Sequence, residues 1–169
     1  TEEFFDYEQT GIVVQAYLRD GIDHLYDVIE LGRKRGIRMA IRLVKGAYWD
    51  SEIKWAQIDG VENYPVFTHK NYTDVSYLAC ATELLKNTQY FYPQFATHNA
   101  LTASAIITLA EELKQENSYE FQRLYGMGDA FFDEMVAKRP CRIYAPVGNF
   151  RDLLPYLIRR LMENGANSN

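Results

Sequence analysis

The chain has 169 residues, 47% hydrophobic and 14% aromatic, which is enough to bury a core and excludes intrinsic disorder. Its 18 Lys+Arg against 23 Asp+Glu give a formal net charge of -5, which speaks against nucleic acid as main partner, because phosphate binding needs a basic face. No apolar run approaches the roughly 20 residues that span a bilayer, and the stretch from Thr1 to Asp6 has no signal-peptide pattern. Cys80 and Cys141 match no disulfide or metal spacing and read as buried thiols of a reducing compartment.

Strand and helix patterns alternate along the chain. Gly11-Ile-Val-Val-Gln-Ala-Tyr17 predicts a short buried strand, and residues 22–35 a helix with an apolar stripe at Ile22, Leu25, Val28 and Ile29, stopped by Gly36. Residues 38–44 predict the next strand, 49–59 a helix, 63–72 a loop and 74–86 another helix. A strand over 93–97 and a long helix over 100–114 follow. Residues 119–122 predict a short strand, 129–137 a helix and 142–145 the last strand. The final helix starts at Asn149, an N-cap with Asp152 three residues on, and stops at Gly165.

Five βα units of this kind imply a parallel sheet covered by helices, in one domain. A doubly wound sheet and a (β/α)8 barrel compete. No G-x-G-x-x-G follows the first strand, which lowers the dinucleotide-sheet reading. A full barrel takes about 250 residues, so five units make part of one.

Polar residues favour the barrel. Met39, Ile41 and Leu43 form one apolar face of their strand, while Arg42 lies on the other, where a charge needs a polar or anionic partner. Gln15, Thr97-His98-Asn99, Gln122 and Tyr144 fall at the ends of the other strands. Barrel active sites form at the carboxyl ends of the strands, so these residues together suggest a binding site, although any one could be polar merely because loops are wet.

Lys45 and Gly46, followed by Tyr48 and Trp49, suit an anionic ligand with an aromatic body, though a solvated Lys45 and a core-capping Trp49 fit composition equally. Arg159 and Arg160 can grip a carboxylate or lie on a solvated helix face. Of His24, His69 and His98, only His98 sits where a site is expected, and no metal-ligand spacing occurs.

Arg42-Leu-Val-Lys-Gly-Ala-Tyr-Trp-Asp-Ser-Glu-Ile53 is far from generic. With Tyr64-Pro-Val-Phe-Thr68, Tyr72-Thr-Asp-Val-Ser-Tyr-Leu-Ala-Cys80, Phe95-Ala-Thr-His-Asn99, Arg142-Ile-Tyr-Ala-Pro-Val-Gly148 and Arg159-Arg-Leu-Met-Glu-Asn-Gly-Ala-Asn167, it closely resembles the proline dehydrogenase domain of the proline utilisation A family. The resemblance covers nearly the whole chain. It implies an α/β fold, a distorted (β/α)8 TIM-type barrel of which residues 1–169 cover about strands 4–8. It also implies noncovalent FAD, oxidation of L-proline to Δ1-pyrroline-5-carboxylate, and electrons passed to a membrane quinone.

The family pattern carries residue roles as well. Arg42 resembles the arginine near flavin N5. Val13, Gln15, Val44, Lys45, Gly46, Ala47 and Trp49 resemble contacts to the flavin and adenosine. Thr68, His69, Thr97, His98, Asn99 and Gln122 resemble further cofactor contacts, and Glu163 a flavin-side residue. Arg159 and Arg160 resemble the pair that holds the proline carboxylate, with Tyr48, Leu124, Tyr144 and Tyr156 as walls of the pocket; Arg42, Tyr144, Arg159 and Arg160 form the expected catalytic set.

Two departures stand out. His69 occupies a place where family members carry Arg or Lys, and several residues of the pattern are lacking between Lys138 and Arg139. The expected location is the cytoplasm, with room for peripheral association at the inner membrane face through the quinone. No nucleic acid is expected to bind this region, and any oligomer would form through the parent protein. An aldolase-like lyase with Lys45 as Schiff-base nucleophile, and a non-catalytic piece of a larger enzyme, remain as alternatives.

Overall fold

The structure, a computed structural model, describes residues 10–136 and 139–167. Five strands alternate with helices: β1 Gly11–Gln15, α1 Gly21–Arg35, β2 Met39–Val44, α2 Trp49–Ile58, α3 Lys70–Lys86, β3 Phe91–Ala96, α4 Ala100–Glu112, β4 Glu120–Leu124, α5 Asp129–Phe131, β5 Cys141–Tyr144 and α6 Phe150–Asn167. All neighbouring strands pair in parallel, in the order β1-β2-β3-β4-β5. A sheet wound in strict chain order has no switch point, so its helices lie on one face, as in a barrel wall.

Side-chain alternation divides the two faces. Met39, Ile41 and Leu43, with Phe91 and Phe95 and with Phe121, turn toward the helices and are buried with Leu84, Leu85 and Ile106. This is the core. The opposite face carries Val13, Ala40, Arg42, Gln94, Glu120, Gln122 and Arg142, with Arg42 in register with Val13 and Gln94, and Gln122 with Ala96 and Arg142. Helix α1 presses close to β3: a Cβ on Gly32 would lie 2.7 Å from Phe91 Cζ.

Several element bounds differ from expectation. Helix α3 begins at Lys70, inside the stretch predicted as loop, because His69 supplies an extended cap without a side-chain hydrogen bond and leaves no composition signal. Strand β3 starts at Phe91, since Met39 N–H already donates to Tyr90 O at 2.9 Å and Pro93 is tolerated opposite Ile41. Strand β4 runs on to Leu124 and leaves Gln122 inside it and buried. After α5 the chain widens into a π-turn over Phe132–Val136 where an α-helix was predicted. Phe132 there enters the core against Phe121 and His98, with the Arg123 guanidinium 5.5 Å from its ring centre. Ala137, Lys138 and the segment from Thr1 to Asp6 lie outside the described residues.

Helix α6 is capped as predicted: Asp152 N–H donates to Asn149 Oδ1 at 3.2 Å. It runs past Gly165 to Asn167. Spacings of four and three residues put Tyr156, Arg160 and Glu163 on one stripe, which faces the carboxyl ends of the strands.

Candidate active site

Two adjoining cavities open at the carboxyl ends of the strands. The first, of about 780 Å3, lies between the sheet and α6. The second, of about 830 Å3, lies between α6 and the β2–α2 loop. They share Lys45, Ala47, Tyr48 and Glu163, so one elongated ligand can occupy both.

Most of the expected site residues come together here. Val13, Gln15, Arg42, Val44 and Gln122 form the floor of the first cavity, and Thr97, His98, Asn99 and Leu124 its rim. Tyr48, Tyr144, Tyr156 and Arg160 wall it. Gly46, Trp49, Thr68 and Arg159 line the second. His69 lines neither; its exposed ring packs edge-on against Tyr72 at 5.6 Å.

The two arginines divide. Adjacent helical residues diverge by about 100°, so Arg160 turns into the first cavity and Arg159 into the second. Both flank the ring of Tyr48, their guanidinium carbons 5.9 and 5.2 Å from its centre. Arg160 also lies 5.4 Å from the Tyr156 ring, and Arg42 5.5 Å from that of Tyr144. Arg160 Nη1 meets Glu163 Oε2 at 2.8 Å, whereas Arg160 Nε is buried with no hydrogen-bond partner among the described residues. Burial pushes the Glu163 carboxyl up, and the opposing pull of Arg160 and Arg42 does not cancel it.

Lys45 is buried, and its Nζ lies 2.5 Å from Asp74 Oδ1 on α3. An amine so committed to a carboxylate is a fixed cation rather than a free nucleophile, which removes the support for Schiff-base chemistry. Gly46 adopts φ 130, and a Cβ there would collide with the Tyr17 ring, so the glycine lets the loop close over an aromatic of the chain itself.

Two rim residues hold structure as well as lining space. Asn99 Oδ1 caps α4 by accepting from Thr102 N–H at 2.9 Å. His98 Nε2 accepts from Leu124 N–H at 3.1 Å, so that nitrogen carries no proton.

The inner sheet face also holds a polar network that the sequence expectations do not include. Glu120 Oε1 accepts from Arg142 Nε at 2.8 Å and from the amides of Gln94 and Gln122 at 2.9 Å each. Its Oε2 accepts from Arg142 Nη2 at 3.1 Å and Tyr92 OH at 3.4 Å. Gln122 Oε1 in turn accepts from Arg42 Nε at 2.8 Å. Burial raises the Glu120 carboxyl, but hydrogen bonds from Arg142 and Gln122 outweigh it and leave the group below its ordinary value. The available signal was alternation: Tyr92-x-Gln94 and Glu120-x-Gln122 each put two polar groups on one strand face.

A family model described as proline dehydrogenase matches residues 1–169. The chain belongs to the proline dehydrogenase family. It is 53% identical to the bifunctional protein PutA of Escherichia coli (strain K12) over 98% of its own length and 13% of that protein's. Mitochondrial proline dehydrogenase 1 of Homo sapiens is 32% identical over 90% of this chain and 26% of that protein. Among solved structures, proline utilization A from Bdellovibrio bacteriovorus, inactivated by N-propargylglycine, superposes with a TM-score of 0.90 at 42% identity, covering 100% of this chain and 18% of that one. This member of the proline dehydrogenase family therefore spans a small part of its curated PutA relatives, and its parallel sheet follows the fold of their proline dehydrogenase domains.

Proposed function

We propose that this chain supplies the FAD- and proline-binding wall of an enzyme that oxidises L-proline to Δ1-pyrroline-5-carboxylate. The observation that carries the reading is the convergence of Arg42 and Arg160 with Tyr48, Tyr144 and Tyr156 on one cavity at the carboxyl ends of the strands. Arg160 Nε, buried and without an acceptor among the described residues, suits a ligand carboxylate. The fit to FAD rests on the paired cavities: Arg42, Val44 and Gln122 would hold an aromatic ring in the first, and Trp49 and Thr68 would hold an adenosine end in the second.

FAD, when bound, accepts the two electrons and the hydrogen that leave proline C5. The chain's own groups position and polarise. Arg160 holds the proline carboxylate, with Arg159 reaching it across Tyr48. Tyr144, Tyr156 and Leu124 enclose the pyrrolidine ring and exclude water, so that positioning supplies most of the rate. Arg42 keeps a positive charge over the cavity floor, where negative charge develops. His69 is left without a cofactor role in this reading. Transfer of the electrons to a membrane quinone would bring the full-length protein to a membrane surface from the cytoplasm; none of the described helices is long and apolar enough to cross a membrane.

The test is spectroscopic. The full-length protein should purify yellow with a flavin absorption band that bleaches on adding L-proline and returns with a quinone. A protein that takes up no flavin, or whose flavin is not reduced by proline, overturns the reading.

A further inference from the structure

The inner sheet face holds a buried carboxylate that touches neither cavity. Glu120 is 4% exposed and Gln122 6%. Neither is needed for packing by shape alone, because the residues facing the helices supply the apolar core. An ionised side chain in such a place needs every lone pair engaged, and here both oxygens are.

Its chemistry fixes a neighbour's orientation. A carboxylate accepts only, so Gln122 must turn its NH2 end toward Glu120. The carbonyl end of the same amide then faces the other way, toward Arg42 Nε at 2.8 Å. An amide is a two-ended relay, donor at one end and acceptor at the other, and Glu120 sets which end is which. Arg42 belongs to the cavity floor, so its guanidinium plane depends on a carboxylate two strands away.

We propose that Glu120 is a positioning residue of the oxidation reaction, acting on Arg42 through the amide of Gln122. The proposal rests on the flavin reading for its kinetic consequence, but not for its geometry. Arg142 completes the device: its two bonds neutralise Glu120 and keep the carboxylate from swinging toward Arg42 directly.

Glu120→Gln tests it in the full-length protein. The new amide would meet donors from Arg142, Gln94 and Gln122 and has one oxygen to offer. Gln122 turns its own oxygen toward residue 120 and presents NH2 to Arg42 Nε–H, and two donors repel. We expect the Arg42–Gln122 contact to open in a crystal structure and the flavin reduction potential to fall. The kcat should drop about tenfold with little change in the KM for proline, because Arg160 still holds the substrate.

The exchange Glu120→Gln with Gln122→Glu discriminates relay from packing. It returns an acceptor to Arg42 and gives Arg142 the new amide oxygen, so the Arg42 contact in the crystal structure should recover and kcat should rise above that of the single variant. If Glu120 served only to fill space or balance charge, the exchanged pair would be no better than the single variant, and the proposal would fall. An unchanged Arg42 contact and potential in Glu120→Gln would also overturn it. Should the single variant not fold, the exchanged pair and Gln122→Met decide: the first must restore the contact, the second must lower the potential. An unaltered protein that binds no flavin sinks the functional reading alone, since the Arg42 contact in the crystal structures still decides the relay.

Discussion

Arg160 and Glu163 lie three residues apart on α6, joined at 2.8 Å between Nη1 and Oε2, and they leave Arg160 Nε as a buried donor with no acceptor among the described residues. The pair orients the guanidinium without using it up. Glu163 fixes one edge, the rings of Tyr48 and Tyr156 fix the plane, and the remaining edge faces the cavity. A planar fork held this way loses little entropy when a carboxylate arrives.

Arg160→Lys should therefore weaken proline far more than its unchanged charge suggests. An ammonium cannot keep Glu163 and a ligand carboxylate in the same plane. Loss of a charged hydrogen bond is worth about 2 kcal/mol, or roughly 30-fold in kcat/KM, carried mainly by KM. Arg159→Lys should cost much less, because Arg159 is exposed and turned to the second cavity. Steady-state kinetics with proline check both, and equal losses in the two variants would contradict this division.

Glu163 in the site and Glu120 beside it should act on stability with opposite sign. Burial raises Glu163 above the ordinary 4.5, against Arg160 and Arg42, so its contribution is present below that pH and is lost as pH rises through the raised value. For Glu120, burial raises and the bonds from Arg142 and Gln122 lower more strongly, so its contribution is present above 4.5 and lost as pH falls through the depressed value. Glu163→Gln should flatten the decline in Tm just above pH 4.5, and Glu120→Gln should flatten the decline on the acid side. Thermal melts across pH 3 to 8, a range set around ordinary carboxyl values of about 4, would show it.

Much of the fold was legible because its signals are local. The alternation of Met39, Ile41 and Leu43 with Ala40, Arg42 and Val44 is a strand two-face pattern, and burial follows it residue by residue. Asn149 with Asp152 announced the start of α6, and the structure closes that cap. Lys70 carries no such signal, so the sequence alone predicts loop for the first turn of α3.

Long-range relationships were hidden for a different reason. Apart from the Gln122–Glu120 bond within one strand, the Glu120 network joins residues 22 to 80 positions apart, set side by side by strand register. Arg159 and Arg160 are adjacent in sequence, yet helical geometry turns them toward two adjoining cavities, with the Tyr48 ring near both. Sequence gave the residue types; register and helix phase decide which atoms meet.

Asp74→Ala should expose how Lys45 is held. It strips a buried ammonium of its 2.5 Å partner, and a broken buried pair costs about 3–5 kcal/mol. Asp74 is 35% exposed, so solvent screening reduces the expected loss to about 1–3 kcal/mol. Adding Lys45→Met should recover much of that stability while leaving anion binding in the shared part of the cavities weakened. Chemical denaturation of the single and double variants measures it, and a double variant less stable than Asp74→Ala would contradict the account.

Gly46→Ala should be among the costliest single-methyl changes in this chain. The residue holds φ 130, a region L side chains rarely adopt, and a Cβ would strike the Tyr17 ring. Backbone strain alone is worth about 1–3 kcal/mol, and Tyr17 cannot step aside freely because it is buried and its hydroxyl donates to Glu52 Oε1 at 3.4 Å. Burial, with Glu52 beside it, pushes the Tyr17 phenol up to about 12, so the hydroxyl remains a donor throughout the working range. Relief has to come from the loop, which carries Ala47 and Tyr48 away from the wall the two cavities share. We expect a lower Tm together with weaker flavin retention, whereas Gly60→Ala, with positive φ but nothing within 4 Å of its Cβ, should lower Tm less and leave flavin retention intact. Equal flavin loss in the two variants would show that backbone strain, and not the Tyr17 contact, governs the loop.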